Sequence, residues 1–271
     1  MADSRAIGIF DSGLGGLTVA KKIMEVLPDE SIVYFGDTGR VPYGTKGVDT
    51  IRRYAIEDER FLISQDVKMI VAACGTVSAV ASDTGKNLPV PFVEVISHSV
   101  KSAIDISKSK RIGVLATNAT IKSHAHRDLI KKLCPEAEVF QKAAPLLVSL
   151  AEEGWYQKDN KIAGLTVKEY LADMKESGID TLILGCTHFP VFSQLIKEYM
   201  PEVSLVDMGL SAAHYIKDIL FKTNCQNDGK TPAKHSFFVS DKPVTFEKTV
   251  KIFLGDKCEG ININQVDIEE Q

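Results

Sequence analysis

At 271 residues, the chain is long enough for one large globular domain or two smaller ones, and its 44% apolar and 25% charged residues are typical of folded proteins in water. The net charge of −4 argues against a general binder of nucleic acids or anionic membranes, which needs a basic surface. No apolar run approaches the roughly 20 residues of a membrane span, and the first residues do not resemble a signal peptide, so we expect a cytoplasmic protein.

Short apolar runs alternate with helical segments along almost the whole chain, which is the pattern of a parallel sheet covered by helices on both faces. The predicted strands are residues 6–10, 31–36, 68–74, 91–96, 111–116, 137–141, 181–186 and 203–207. An α/β fold follows from this alternation.

Two segments between the strands have a clear helical pattern. Residues 47–65 place Ile51, Tyr54, Ala55 and Leu62 on one stripe with charged residues opposite, and residues 160–178 show the same spacing and stop at a suitable glycine. Residues 222–234 are polar and rich in turn formers, which predicts a surface loop.

A faint internal repeat divides the chain into two similar halves. The run that contains Ile7 resembles the run that contains Ile112, and the strand that ends at Cys74 resembles the strand that ends at Cys186. The two offsets, 105 and 112 residues, are similar, which favours two halves built alike, although chance similarity between α/β strands is the competing explanation.

The unusual polar residues all follow predicted strands. Because ligands bind outside the carboxyl ends of strands in open α/β sheets, we expect these residues to line one cleft between the halves. They are Asp11, Ser12, Asp37, Cys74, Thr76, Thr117, Cys186, Thr187 and His188.

The first glycine cluster, "DSGLGGLT", fits neither of the common nucleotide-binding patterns. A dinucleotide fingerprint would need glycine at Thr18, and no Gly-Lys-Ser/Thr follows for a P-loop. The cluster predicts a tight turn into a helix, whose N-terminus suits a small anion, and implies no cofactor.

The five cysteines are scattered, without the spacing of a disulfide framework or a metal site, which is consistent with a reducing cytosol. We interpret Cys134, Cys225 and Cys258 as small buried hydrophobic residues. Cys74 and Cys186 each lie between a strand end and a helix start, a position that lowers the pKa of a thiol.

Two thiols that face one cleft suit the inversion of a carbon stereocentre. One thiolate removes a proton from one face while the other thiol delivers a proton to the opposite face, and the roles exchange in the reverse direction. His188, two residues after Cys186, and Asp11 are positioned to assist the two sulfurs.

Other chemistries fit the same residues less well. An ordinary structural hydrogen bond is an alternative for His188, and a hydrolase built on Cys186, His188 and Asp11 leaves Cys74 without a role. Zinc lacks paired ligand spacing, and a pyridoxal enzyme lacks a suitably placed lysine, since Arg40 is the one basic residue within the strand-end motifs.

Four segments, "IGIFDSGLGGLTV", "YFGDTGRVPYG", "AACGTVSAV" and "ILGCTHFP", occur in the order and at the separations of the glutamate racemases, which they resemble. The resemblance extends from Ile7 to about Leu254, including the "SDKPVTFEKTVKIFLG" segment. It implies two pseudo-symmetric α/β/α domains with mainly parallel sheets, formed by residues 1–97 with 208–271 and by residues 98–207, and an active site in the cleft between them.

The resemblance also implies roles for individual residues. Cys74 and Cys186 are the catalytic pair, and Asp11, His188 and Glu152 assist them, although Glu153 is adjacent to Glu152 and the local match is loose. The implied substrate contacts are Asp11, Ser12, Pro42, Tyr43, Gly44, Gly75, Thr76, Thr117, Thr120 and Thr187. Turn formation is an alternative explanation for Pro42 and Gly44, as is partial burial for Tyr43.

One position departs from the family pattern. The family commonly has asparagine where this chain has Gly75, so one polar partner of the substrate is missing, while the backbone N–H remains. This leaves the affinity and the choice between glutamate and aspartate open.

As a whole, the resemblance implies a cofactor-independent, metal-free enzyme that interconverts L- and D-glutamate and supplies D-glutamate for peptidoglycan synthesis. The implied partner is the small-molecule substrate, with no nucleic acid or membrane, in a homodimer. A racemase of a related substrate, such as aspartate or a hydantoin, and a non-catalytic binding protein for small anions are the alternatives.

Overall fold

The computed structural model describes residues 2–242, 246–255 and 261–268. Ten strands lie within these ranges. They are β1 (Ile7–Asp11), β2 (Ile32–Gly36), β3 (Met69–Ala72), β4 (Phe92–Glu94), β5 (Arg111–Ala116), β6 (Glu138–Ala143), β7 (Thr181–Gly185), β8 (Ser204–Asp207), β9 (His235–Val239) and β10 (Ile263–Gln265).

Eleven α-helices lie in the same ranges and cover the strands. They are α1 (Leu17–Val26), α2 (Val48–Ser64), α3 (Gly75–Val80), α4 (Val95–Ile106), α5 (Asn118–Ser123), α6 (Ala125–Leu133), α7 (Pro145–Glu152), α8 (Lys161–Glu176), α9 (Ser193–Tyr199), α10 (Met208–Thr223) and α11 (Phe246–Leu254). In the ranges that the structure covers, no helix has both the length and the apolar character of a membrane span.

The strands form two separate sheets in which every pairing is parallel. The larger sheet has the order β10-β9-β2-β1-β3-β4, and the smaller sheet has the order β6-β5-β7-β8. Helices pack their apolar faces on both sheets, as the alternating sequence pattern predicts. The predicted α/β fold with two halves is confirmed.

The two sheets share one topology over four strands. The order β2-β1-β3-β4 in the first corresponds to β6-β5-β7-β8 in the second, so that β1 matches β5 and β3 matches β7. These are the pairs of strands that the internal repeat relates, one pair through Ile7 and Ile112, the other through Cys74 and Cys186.

The larger sheet takes its strands from residues 7–94 and 235–265 and the smaller sheet from residues 111–207, while the predicted domain division remains a prediction. One predicted strand is too long at this junction, because residues 91–96 contain β4 and then the start of α4. The Glu94 side chain accepts hydrogen bonds from the N–H groups of Ile96 and Ser97 and thereby starts α4. Val95 and Ile96 then pack with the core of the smaller sheet.

Other predictions need smaller corrections. Helix α2 is amphipathic as predicted, but its polar residues are not all exposed, since Asp58 and Glu59 are buried. Helix α8 ends before Gly178, which has a φ of +66° and suits a helix C-terminus. The predicted loop begins after Thr223, where α10 ends. Strands β9 and β10 were not predicted.

The predictions for the cysteines outside the cleft have different outcomes. Cys134 is buried, as predicted. Cys225 is only partly buried, so its interpretation as a buried hydrophobic residue is wrong. Cys258 lies outside the described residues.

Candidate active site between the two sheets

The carboxyl ends of the central strands of both sheets meet at one cavity of 360 Å³, within the roughly 300–1,000 Å³ of small-molecule pockets. Cys74, which follows β3, and Cys186, which follows β7, both line it. Ten more predicted site residues also line it: Ser12, Pro42, Tyr43, Gly44, Gly75, Thr76, Thr117, Glu152, Thr187 and His188.

Several lining residues were not predicted from the sequence. Pro145, Val148 and Ser149 precede Glu152 on α7 at helical spacing, so all four share the helix face that borders the cavity. That spacing is the signal by which they can be found once Glu152 is placed. The other unpredicted lining residues are Val41, Thr45, Asn118 and Gly185.

Cys74 occupies the first half of the site. It precedes α3, and its Sγ lies 3.7 Å from the Ser12 hydroxyl oxygen. Burial raises the pKa of the Cys74 thiol to about 12, and the nearby Asp11 adds to this rise. The Val77 N–H group and Ser12 oppose it without overcoming it. The predicted lowering of this pKa is therefore wrong, because loss of solvation outweighs the helix start.

Cys186 occupies the second half, next to His188 and Glu152. The Cys186 Sγ lies 3.7 Å from Nδ1 of His188, and Nε2 of the same ring lies 3.1 Å from Oε1 of Glu152. Burial lowers the pKa of His188, but the hydrogen bonds to Cys186 and Glu152 outweigh it and raise the pKa to about 10. The imidazole is therefore charged at neutral pH.

Asp11 is fully buried at the end of β1 and lies behind the cavity lining. Its carboxylate accepts hydrogen bonds from the Gly13 N–H group at 3.0 Å and the Thr187 hydroxyl at 3.5 Å. Burial raises the pKa of Asp11, which the charge of His188 and the N–H groups of Gly16 and Gly13 partly oppose. Asp11 thus supports the wall that carries Thr187 and His188.

The glycine cluster after β1 allows the two halves to approach. A Cβ atom at Gly15 would lie 2.5 Å from Cε1 of His188 and 2.5 Å from the Thr187 hydroxyl oxygen. The Thr18 hydroxyl donates a hydrogen bond to the Thr187 carbonyl oxygen at 2.9 Å. The turn that the cluster predicts is therefore present, and it lies directly against the second half of the site.

Three threonine hydroxyl groups connect the halves on the other side of the cavity. The Thr76 and Thr117 oxygens are 3.1 Å apart, and those of Thr117 and Thr120 are 3.0 Å apart. Thr76 and Thr117 line the cavity, whereas Thr120 is fully buried outside its lining. Thr120 is therefore placed to orient Thr117.

The described cavity-lining residues include no lysine or arginine, so hydroxyl and N–H groups supply its hydrogen-bond donors. Across the described ranges, no cluster of three or more His, Cys, Asp and Glu side chains is arranged to hold a metal ion. The arrangement also differs from the hydrolase alternative, since the second ring nitrogen of His188 faces Glu152 and not Asp11.

The two parallel sheets share one topology and carry a cysteine at equivalent strand ends. The sequence profile of one family, described as Asp/Glu/Hydantoin racemase, matches residues 9–216. The chain belongs to this family. Within it, the chain is 44% identical over 269 residues to a glutamate racemase from Geobacter metallireducens, covering 98% of each sequence. The predicted resemblance to the glutamate racemases is thereby confirmed.

Solved structures give the same result. A glutamate racemase from Francisella tularensis in complex with D-glutamate superposes with a TM-score of 0.91 at 37% identity, over 99% of this chain and 100% of the other. A glutamate racemase from Thermus thermophilus in complex with β-chloro-D-alanine has a TM-score of 0.88 at 34% identity, over 100% of both chains.

Proposed function

We propose that this protein is a glutamate racemase that interconverts L- and D-glutamate by proton transfer at the α-carbon. The observation that carries the proposal is that Cys74 and Cys186, which follow equivalent strands of the two sheets, line one small cavity. Two sulfurs that reach a bound substrate from opposite sides supply the base and the acid that inversion requires.

The two sulfurs are not equivalent before the substrate binds. The Cys74 thiol retains its proton at neutral pH, because burial raises its pKa to about 12. The charged His188 ring lies beside Cys186, with its Nδ1 atom 3.7 Å from the sulfur. This arrangement prepares Cys186 to act as the base and Cys74 to act as the acid.

With L-glutamate bound, the Cys186 thiolate takes the α-proton and forms an S–H bond, while the electron pair of the broken C–H bond remains on the substrate. The Cys74 thiol then gives its proton to the opposite face of the α-carbon and becomes the thiolate. The product is D-glutamate, and the reverse reaction starts from Cys74 as base. The net reaction neither gains nor loses protons.

Polar groups around the cavity are placed to bind the substrate. Ser12, Thr76, Thr117 and Thr187 offer hydroxyl groups, and Gly75 offers the N–H group at the start of α3. These donors suit the carboxylate groups of glutamate. The roles of Asp11 and Thr120 are indirect in this arrangement, because both are buried behind the lining.

The proposal extends to the cellular role. We infer a cytoplasmic, cofactor-independent homodimer that supplies D-glutamate for peptidoglycan synthesis and needs neither metal, nucleic acid nor membrane. The resemblance to the glutamate racemases is the support for these points.

Incorporation of solvent deuterium at the α-carbon tests the reaction directly. We expect both glutamate enantiomers to exchange the α-hydrogen and to racemise in heavy water without added cofactor, whereas aspartate and a hydantoin react much more slowly. Cys134→Ala is the matched control, because this thiol is buried away from the cavity. Binding of glutamate without exchange would contradict the proposal.

A further inference from the structure

The phenol group of Tyr43 lies between two buried carboxyl groups. Its oxygen makes a short hydrogen bond to Oδ2 of Asp37 and lies 3.0 Å from Oδ2 of Asp58. All three residues are fully buried. Tyr43 belongs to the turn of residues 42–44, which lines the cavity beside the cysteines.

A single guanidinium group, that of Arg40, contacts both of these buried carboxyl groups. The Arg40 guanidinium contacts Asp37 at 2.6 Å, Asp58 at 3.2 Å and Glu57 at a shorter distance, and it lies 4.1 Å from the centre of the Tyr54 ring. Arg53 lies 5.3 Å from the centre of the same ring, and Asp267 lines the neighbouring cavity with Asp37 and Arg40.

The number of hydrogen atoms decides the protonation state. A neutral phenol has one O–H hydrogen and can donate to only one of the two carboxyl groups, so its contact with the other needs a hydrogen from that carboxyl group. Both oxygens of Asp37 accept hydrogen bonds from groups other than Tyr43, one from Arg40 and one from the Ser240 hydroxyl at 2.8 Å. For Oδ2 of Asp58, the partner is the phenol oxygen.

We propose that Asp58 is a neutral carboxylic acid that donates a hydrogen bond to the Tyr43 phenol oxygen and thereby positions the substrate-binding turn of residues 42–44. Burial and the neighbouring Asp37 raise the pKa of Asp58 by more than Arg40 and the contact with Tyr43 lower it. Asp58 is a positioning residue, since it acts through Tyr43 and does not line the cavity.

The position of this turn matters for the other half of the site. A Cβ atom at Gly44 would lie 3.0 Å from Cβ of Thr117, so the turn contacts the threonine group that connects the halves. Displacing Tyr43 therefore moves the turn against Thr117 and weakens substrate binding. This consequence for activity rests on the proposed racemase function, whereas the protonation of Asp58 does not.

Infrared spectroscopy of the whole protein in heavy water tests the protonation state without an activity assay. We expect the wild-type protein to show the carbonyl band of a buried carboxylic acid at neutral pH. Asp58→Asn should remove this band, Tyr43→Phe should shift it, and the exposed control Asp66→Asn should leave it unchanged. Loss of the band in Asp37→Asn but not in Asp58→Asn would overturn the proposal.

Kinetics test the positioning role separately. Asp58→Ala should raise the KM for L-glutamate about 10–100-fold with a smaller change in kcat, since it removes a buried hydrogen-bond partner. Asp58→Asn, whose amide still donates to Tyr43, should show a much smaller rise in KM. An equal rise in KM for both variants, with near-UV circular dichroism unchanged, would contradict the role of the donated hydrogen. If the wild-type protein lacks racemase activity, the infrared result still stands.

Discussion

The Nε2 atom of His188 lies 3.1 Å from Oε1 of Glu152, which joins the segment after β7 to the end of α7. Together with Cys186, Glu152 raises the pKa of His188 from an ordinary value of 6.5 to about 10. The ring therefore keeps its charge beside Cys186 over the whole physiological range of pH.

Replacing Glu152 by glutamine should lower the pKa of His188 by about 1–3 units, because a nearby negative charge is removed. We expect the alkaline limb of the kcat/KM profile for L-glutamate to move to lower pH. The raised pKa of His188 also stabilises the folded protein. This contribution to the free energy of unfolding is complete below about pH 6.5 and is lost as the pH rises towards 10, so the variant should lose it at lower pH.

Glu153→Gln is the matched control for this experiment. Glu153 is adjacent but exposed, and its backbone carbonyl oxygen, not its side chain, accepts a hydrogen bond from Lys248. Its pH profile should match that of the wild-type enzyme. Equal shifts in both variants would argue that general surface charge, and not the contact with His188, sets the profile.

Single cysteine variants should separate the two directions of proton transfer. Cys74→Ala should lower racemisation from both enantiomers by at least about 10²–10⁴-fold, the usual contribution of an acid or base. Cys186 remains in this variant, so deuterium should still enter L-glutamate without inversion, and Cys186→Ala should show the converse. Undiminished racemisation of Cys74→Ala, or exchange into D-glutamate alone, would refute the assigned directions.

Gly75 is a point of close approach between the halves. A Cβ atom at this position would lie 2.6 Å from the Gly185 carbonyl oxygen and 3.2 Å from Cε of Met208. Gly75→Ala should therefore separate the two cysteines and lower kcat/KM about 10²-fold, the loss that misplacement of reacting groups by about 1 Å produces.

Gly164→Ala serves as the control, because a Cβ atom in this position of α8 would come no closer than 3.9 Å to Leu195. It should retain the wild-type kinetics and gain a little thermal stability, as alanine favours helices. Wild-type kcat/KM in Gly75→Ala would show that the halves separate without cost to the reaction.

A buried ion pair should contribute to stability far from the cavity. Lys68 and Glu30 are 2% and 3% exposed, with 2.5 Å between Nζ and Oε2, and Lys68 also donates to the carbonyl oxygens of Asp3 and Cys225. Lys68→Met should lower the free energy of unfolding by about 3–5 kcal/mol, because it leaves Glu30 buried without its partner.

Urea denaturation measures this effect. Lys142→Met, which removes a surface pair with Asp173, should cost less than about 1 kcal/mol. The double variant Lys68→Met/Glu30→Leu should recover much of the loss, since it removes both buried charges. Equal costs for the two single variants would contradict the importance of burial.

The sequence predicts the features that depend on local pattern. Apolar runs mark eight of the strands, and the polar residues at their ends mark Cys74, Cys186 and five more lining residues, Ser12, Thr76, Thr117, Thr187 and His188. The family resemblance supplies five others: Pro42, Tyr43, Gly44, Gly75 and Glu152. The features that it does not predict depend on contacts between distant segments. Strand β9 is defined by its pairing with β2, and the hydrogen bond between Asp58 and Tyr43 forms only after α2 packs against the turn.

The error at Cys74 has the same origin. Its position before α3 favours a thiolate when only the neighbouring residues are considered. The burial that raises the pKa of Cys74 to about 12 arises when the rest of the chain folds over it, and so does the approach of Asp11, which adds to the rise. Local position and burial therefore act in opposite directions, and burial has the larger effect.

Strand β9 lies between β2 and β10 in the first sheet, although it follows the whole second sheet in the chain. A ribosome that has just completed Asp207 has thus made both cysteines and all four strands of the smaller sheet, but β2 still has an unpaired flank. Such a flank is a template for association with other nascent chains. A premature stop between residues 208 and 235 would therefore give an aggregation-prone product even though it retains both Cys74 and Cys186.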